Sequence, residues 1–152
     1  MPGRQAHVLG KGAFMFDKLL VAVDGSEHAK SVLNAASELA TKLGSSVRVL
    51  HVLEMGFAGR AGQVPLEERE PAQKILDNAV AELESQGVKA TSSLRAAQHG
   101  RVAGEIDDEA REWGADGIVT GSRGLSEIEG LLVGSTTHKL LHITNLPVVV
   151  VR

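Results

Sequence analysis

From Lys18 onward the chain alternates between short, continuous apolar runs and longer stretches whose apolar residues recur at helical spacing. Leu19-Leu20-Val21-Ala22-Val23 is a strand-sized run stopped by Asp24-Gly25-Ser26, a loop signal. Across residues 28–43, Ala29, Val32, Leu33, Ala36, Leu39, Ala40 and Leu43 share a helical face, and Gly44 supplies a C-cap. Residues 47–53 (VRVLHVL) predict a second strand. Residues 54–64, with three glycines and no periodicity, predict a mobile loop. Residues 65–86 predict a long helix carrying Ile75, Leu76, Ala79, Val80 and Leu83 on one face and ended by Gly87. A third strand follows over residues 88–96, a third helix over 102–113 and a fourth strand over 117–120. A glycine-containing loop then leads to a helix near residues 135–144, and PVVVVR (147–152) closes the chain as a fifth strand.

Strands that are apolar throughout, rather than on alternate residues, are buried on both faces. Separated by helices, they indicate a parallel sheet covered on each side. Right-handed crossovers leave few topologies, and the simplest is an α/β fold with a five-stranded, doubly wound parallel sheet. Residues 1–16 hold Gly3, Gly10 and Gly12, two cations and no acid, with no periodic apolar face. They read as a flexible N-terminal extension ahead of one domain at 17–152.

Composition narrows the function classes. At roughly 150 residues per domain, 152 residues predict a single domain with a real core. Lys plus Arg is 16 and Asp plus Glu is 19, a formal charge of −3, which argues against a polyanion as main partner. The four aromatic residues (Phe14, Phe16, Phe57, Trp113) are too few for a base-stacking platform. With no cysteine, disulfides, thiol catalysis and Cys-based zinc sites are excluded. No apolar run approaches a membrane span. The expectation is a cytoplasmic domain with no nucleic-acid or membrane partner.

In an open parallel sheet, ligands bind outside the carboxyl ends of strands where the chain order reverses. Two segments fall at that edge: Asp24-Gly25-Ser26 after the first strand, and Gly121-Ser122-Arg123-Gly124 after the fourth. The latter leads to Gly134-Ser135-Thr136 at a helix start, with the spacing G-x2-G-x9-G-S. Gly121 leaves room for a sugar or base to approach the backbone, and Gly124 can adopt positive φ. The unpaired N–H groups at Gly134, Ser135 and Thr136, with the positive helix end, suit phosphate oxygens. The same residues also fit turn glycines and a Ser/Thr helix start, so spacing alone leaves both readings open.

The runs VAVDGS (21–26), GADGIVTGSRGLSEIEGLLVGST (114–136) and the ending LPVVVVR resemble the universal stress protein family, over nearly the whole chain from about Phe16. The glycine spacing is similar to that of the family's ATP-binding members. The resemblance implies strand order 3-2-1-4-5, a homodimer joined through the last strand, and ATP as ligand, with Mg2+ as a further option at Asp24. It implies Asp24 at the ribose or metal, backbone near Val52 at the adenine edge, Gly121, Ser122, Arg123 and Gly124 along ribose and phosphates, and Gly134, Ser135 and Thr136 at the phosphate tail. Nothing carries over to residues 54–64.

Other candidates have simpler readings. Asp24 also fits an Asx turn, and Arg123 a solvated loop cation. His138 and His142 at i, i+4 lack a third ligand and read as a polar helix face. His51 reads as a hydrogen-bonded strand residue. Glu67-Glu68-Arg69-Glu70 reads as a helix opening, Asp107-Asp108-Glu109 as a solvated helix face and Leu131-Leu132-Val133 as packing. No P-loop, dinucleotide fingerprint or nucleophile elbow is present. A phospho-acceptor domain would need an Asp after the third strand, where Leu94-Arg95-Ala96-Ala97 stands. The expected function is therefore a dimeric module in stress response whose regulatory state follows ATP occupancy. A slow ATPase or autophosphorylating protein using the same site is the alternative, followed by an interaction protein with a vestigial site.

Overall fold

The computed structural model describes residues 15–123 and 133–152, so Gly124, Ser126, Leu131 and Leu132 lie outside the described residues. The elements are β1 (Lys18–Ala22), α1 (His28–Leu43), β2 (Ser46–Phe57), a single 3-10 turn (Gly59–Ala61), β3 (Gln63–Pro65), α2 (Arg69–Ser85), β4 (Ala90–Gln98), α3 (Val102–Trp113), β5 (Gly117–Gly121), α4 (Ser135–Ile143) and β6 (Val148–Val151). Five of the strands run parallel in the order β4-β2-β1-β5-β6. The architecture is α/β with helices on both faces.

Successive residues of β1 point to opposite layers, which explains its unbroken apolar run. Leu19 and Val21 join Val47 and Val49 under Val32, Ala36 and Ala40 of α1 and Leu76, Ala79 and Leu83 of α2. Leu20 joins Leu50 and Ile118 under Ala103, Ile106 and Ala110 of α3 and Leu140 of α4. Each such fully buried Leu or Ile contributes roughly 1.5–3 kcal/mol of transfer free energy. The result is a rigid sheet whose carboxyl ends are held in a row.

The sheet has six strands, one of them antiparallel, where five parallel strands were expected. β1 leaves β2 at the pair Ala22–Leu50, while β4 follows the opposite edge of β2 as far as Met55. The distal half of β2 therefore has one edge of unpaired backbone groups, which must find partners. β3 folds back to supply them, pairing Met55 with Pro65, Gly56 with Val64 and Phe57 with Gln63. The expected mobile loop over 54–64 is thus largely strand, turn and strand. For the same reason α2 begins at Arg69 rather than residue 65, and Pro71 falls in its first turn, where proline is tolerated.

Two other expectations change. Phe16, assigned to the extension, packs against the core, and its carbonyl accepts a hydrogen bond from Ser45 Oγ at 2.5 Å. Asp107 and Glu109 are buried rather than solvated, at 8% and 6% exposure, and Glu109 is bridged by Arg48 and Arg95. Among the described residues no helix is long and apolar enough to cross a membrane.

Candidate functional site

A crevice of about 170 Å3 opens at the carboxyl ends of β1, β2 and β5. Ala22, Val23, Asp24 and Ser26 come from the end of β1, His51, Val52 and Glu54 from β2, and Thr120, Gly121 and Arg123 from β5 and its loop. Gly134, Ser135, Thr136 and Thr137 close the β5 side with the start of α4. Asp24, Val52, Gly121, Arg123, Gly134, Ser135 and Thr136, all singled out in the sequence, therefore line one crevice. Ser122 does not: it is 2% exposed, its N–H donates to the Val151 carbonyl at 2.7 Å, and its own carbonyl accepts from Gly134 N–H at 2.6 Å. Gly124 lies outside the described residues.

Asp24 makes the Asx turn: its Oδ1 accepts from Ser26 N–H at 3.0 Å and from Ser26 Oγ at 2.5 Å. The turn fixes a carboxylate at the crevice edge, so the local and site readings of Asp24 coincide. Gly121 has a packing reason as well as one of access. A Cβ there would stand 2.8 Å from His28 Cδ2 and 3.2 Å from Val32 Cγ2, so α1 approaches because the side chain is missing. The freed space holds His28, whose Nε2 donates to the Val151 carbonyl at 2.9 Å.

At the opposite wall, Gly134 is the N-cap of α4 and no side chain caps the helix. Its N–H is bonded to Ser122, and Thr137 Oγ1 donates to the Gly121 carbonyl at 2.7 Å, which docks the first turn onto the end of β5. Ser135, Thr136 and Thr137 occupy the first turn, whose N–H groups have no intrahelical partners. The crevice is thus electrostatically polar along its length. Asp24, Glu54 and Glu67 stand toward β1 and β2, and the positive end of α4 with Arg123 stands toward β5.

His28, Glu67, Thr120 and Thr137 also line the crevice but were not singled out for it. Thr137 extends the hydroxyl run Ser135-Thr136, which was its only sequence signal. Glu67, read as part of a helix opening, instead meets His51 Nε2 at 2.6 Å. The β2–β3 pairing brings it there, and no local pattern reports that. His51 is a bonded strand residue, with Nδ1 on the Val23 carbonyl at 2.9 Å. His138 and His142 are exposed and pair with each other, Nε2 to Nε2 at 3.2 Å. Among the described residues no group of three or more His, Cys, Asp or Glu converges as a metal cage.

Fold and crevice together define a doubly wound α/β domain that places a helix N-terminus opposite carboxylates at the carboxyl ends of its strands. The profile of the universal stress protein family matches residues 15–152, and the chain belongs to that family. It is 32% identical to the universal stress protein YxiE of Bacillus subtilis, over 91% of this chain and 100% of that protein. Among solved structures, it superimposes on a universal stress family protein from Burkholderia pseudomallei with a TM-score of 0.72 and 27% identity, over 91% of this chain and 98% of that one. It also superimposes on a universal stress protein from Archaeoglobus fulgidus in complex with dAMP, with a TM-score of 0.67 and 27% identity, over 91% of this chain and 100% of that one.

Proposed function

We propose that the crevice binds an adenine nucleotide, ATP in its full form, and that the protein is a cytoplasmic, dimeric regulatory module whose state follows nucleotide occupancy during stress. The observation that carries the reading is the start of α4, uncapped by any side chain, facing the row of strand ends that also holds Asp24 and Val52. Phosphate oxygens are matched by unpaired N–H groups, the helix dipole and Arg123. The nucleoside then lies toward β2, with ribose hydroxyls donating to Asp24 and the adenine edge along the backbone at Val52. Gly134 lets the start of α4 sit close against the end of β5, since a Cβ there would stand 3.3 Å from the Ser122 carbonyl. The dAMP complex of the A. fulgidus relative supports adenine as the base. If Mg2+ enters with the phosphates, Asp24 supplies the single carboxylate such sites commonly use.

Thr136→Glu tests the assignment. A carboxylate in the first turn favours the helix itself, so the fold is retained, but it repels phosphate from the same groups. Native mass spectrometry should show one nucleotide per chain on the native protein with Mg-ATP. Isothermal titration should show Kd raised at least about tenfold in the variant, or ~1.4 kcal/mol. Equal affinities would remove phosphate from the α4 end.

A further inference from the structure

Residues 63–68 run back along the edge of β2, bring Glu67 into the β2 end of the crevice, and are tied down at three levels. The backbone of β3 pairs with β2, and Leu66 N–H donates to the Glu54 carbonyl at 2.8 Å. The Leu66 side chain lies over Gly56, in the space a Cβ would take. The Glu67 carboxylate reaches back to His51 Nε2 at 2.6 Å. The first two ties are slender: β3 is three residues long, Val64 is half-buried, and Leu66 remains 63% exposed. A segment with so few buried apolar contacts opens easily unless something specific holds it.

The third tie is different in kind. His51 is 2% exposed, and its Nδ1 faces the Val23 carbonyl oxygen at 2.9 Å. A carbonyl oxygen only accepts, so Nδ1 carries a hydrogen. The contact between Nε2 and the Glu67 carboxyl oxygen then holds one further proton, on the ring or on the carboxyl. In either arrangement the proton bridges the two atoms at 2.6 Å, a short hydrogen bond. Losing it would strand a buried ring nitrogen without a partner. The remaining charged groups of the crevice do not displace Glu67 from it. Glu54 pairs with His99 at 2.5 Å, His28 with the Val151 carbonyl and Asp24 with Ser26, while Arg123 belongs to the β5 end.

We propose that the His51–Glu67 contact is a latch that fastens residues 63–68 at the β2 end of the crevice and sets the rate at which its ligand enters and leaves. His51 and Glu67 are positioning residues here. The ligand half of this inference rests on the adenine-nucleotide reading above, whereas the latch itself does not. His51 also joins the latch to the Val23 carbonyl, next to Asp24, so the strap is registered against the carboxylate assigned to the ribose.

Amide hydrogen exchange without nucleotide tests the latch on the full chain. Glu67→Ala should speed exchange at Leu66 and its neighbours at least about tenfold, with β1 amides unchanged as a control for folding. Glu67→Gln, whose amide can donate to Nε2, should keep most of the protection. Equal exchange at Leu66 in the native protein and Glu67→Ala would overturn the latch. Stopped-flow release of a fluorescent ATP analogue should be several-fold faster from Glu67→Ala, and an unchanged rate would overturn its gating role. A native protein that binds no adenine nucleotide would sink the ligand reading, and gating with it, while the exchange data still decide the latch.

Discussion

Arg95 binds three carboxylates of α3 at once: Glu105 at 2.8 Å, Glu109 at 2.8 Å and Glu112 at 3.0 Å. Arg48 takes the other oxygen of Glu109 at 3.0 Å and lies 4.9 Å from the centre of the Trp113 ring. Burial pushes the Glu109 carboxyl up, but hydrogen bonds from Arg95, Arg48 and Ser93 outweigh it and hold the group below its ordinary value. Donating hydrogen bonds to Glu112 and Glu109 raises Arg95, so it stays charged throughout. A carboxylate held low in the folded state adds stability that is complete above its unfolded value, about 4.3. That stability is lost as pH falls through the lower folded value. Glu109→Gln should therefore cost about 2 kcal/mol at pH 7, the scale of a lost hydrogen-bonded charge in a buried pair. Urea unfolding of both proteins from pH 7 to pH 3 should show the gap constant down to about pH 4.3 and closing below it. A gap independent of pH would mean the loss is packing, not charge. The sequence shows only the run Asp107-Asp108-Glu109. That its third member is buried follows from two arginines on β2 and β4, which no spacing along α3 reveals.

Elements closed by a local signal were legible, and those closed by a distant strand were not. The apolar stripe and Gly44 set α1 at His28–Leu43 as expected, and α3 likewise matches at Val102–Trp113. β2 ran four residues past its expected end and α2 began four residues late. Both boundaries depend on β3 pairing with the free edge of β2, a constraint written in backbone groups rather than side-chain periodicity. The candidate site divides the same way. Asp24, Gly121 and the start of α4 stand where chain-local signals placed them, whereas Glu67 reaches the crevice only through the hairpin. Gly44 isolates the local kind of signal. Its φ is 71°, and a Cβ there would meet nothing within 4 Å. Gly44→Ala therefore pays only for the left-handed backbone, about 1 kcal/mol. Thermal unfolding should fall by roughly 2–4 °C, the usual conversion for a chain of this length. A much larger drop would show that the α1–β2 turn bears packing that the open space around Gly44 does not suggest.

At the scale of the molecule, alternating helices and buried strands allow few sheets, and the order β4-β2-β1-β5-β6 is the one the family resemblance implied. What the chain pattern leaves open is the outer edge. β6 pairs with β5 on one side only among the described strands. Ile118 N–H donates to the Pro147 carbonyl and Ser122 N–H to that of Val151, so odd-numbered residues face β5. Val148 and Val150 then direct their backbone groups outward, in the alternation of a parallel ladder. An edge this apolar, with all four valines only half-buried and Leu141 and Ile143 about half exposed on the neighbouring α4, is a template for another strand. Val150→Pro removes one outward N–H without touching the β5 ladder, and edge strands accept proline. If the proposed dimer forms through β6, sedimentation should give twice the chain mass for the native protein and the single chain mass for the variant. Hydrogen-exchange protection in β5 should stay native in both. A variant that remains dimeric would move the interface elsewhere, and a native protein that sediments as a monomer would remove the dimer.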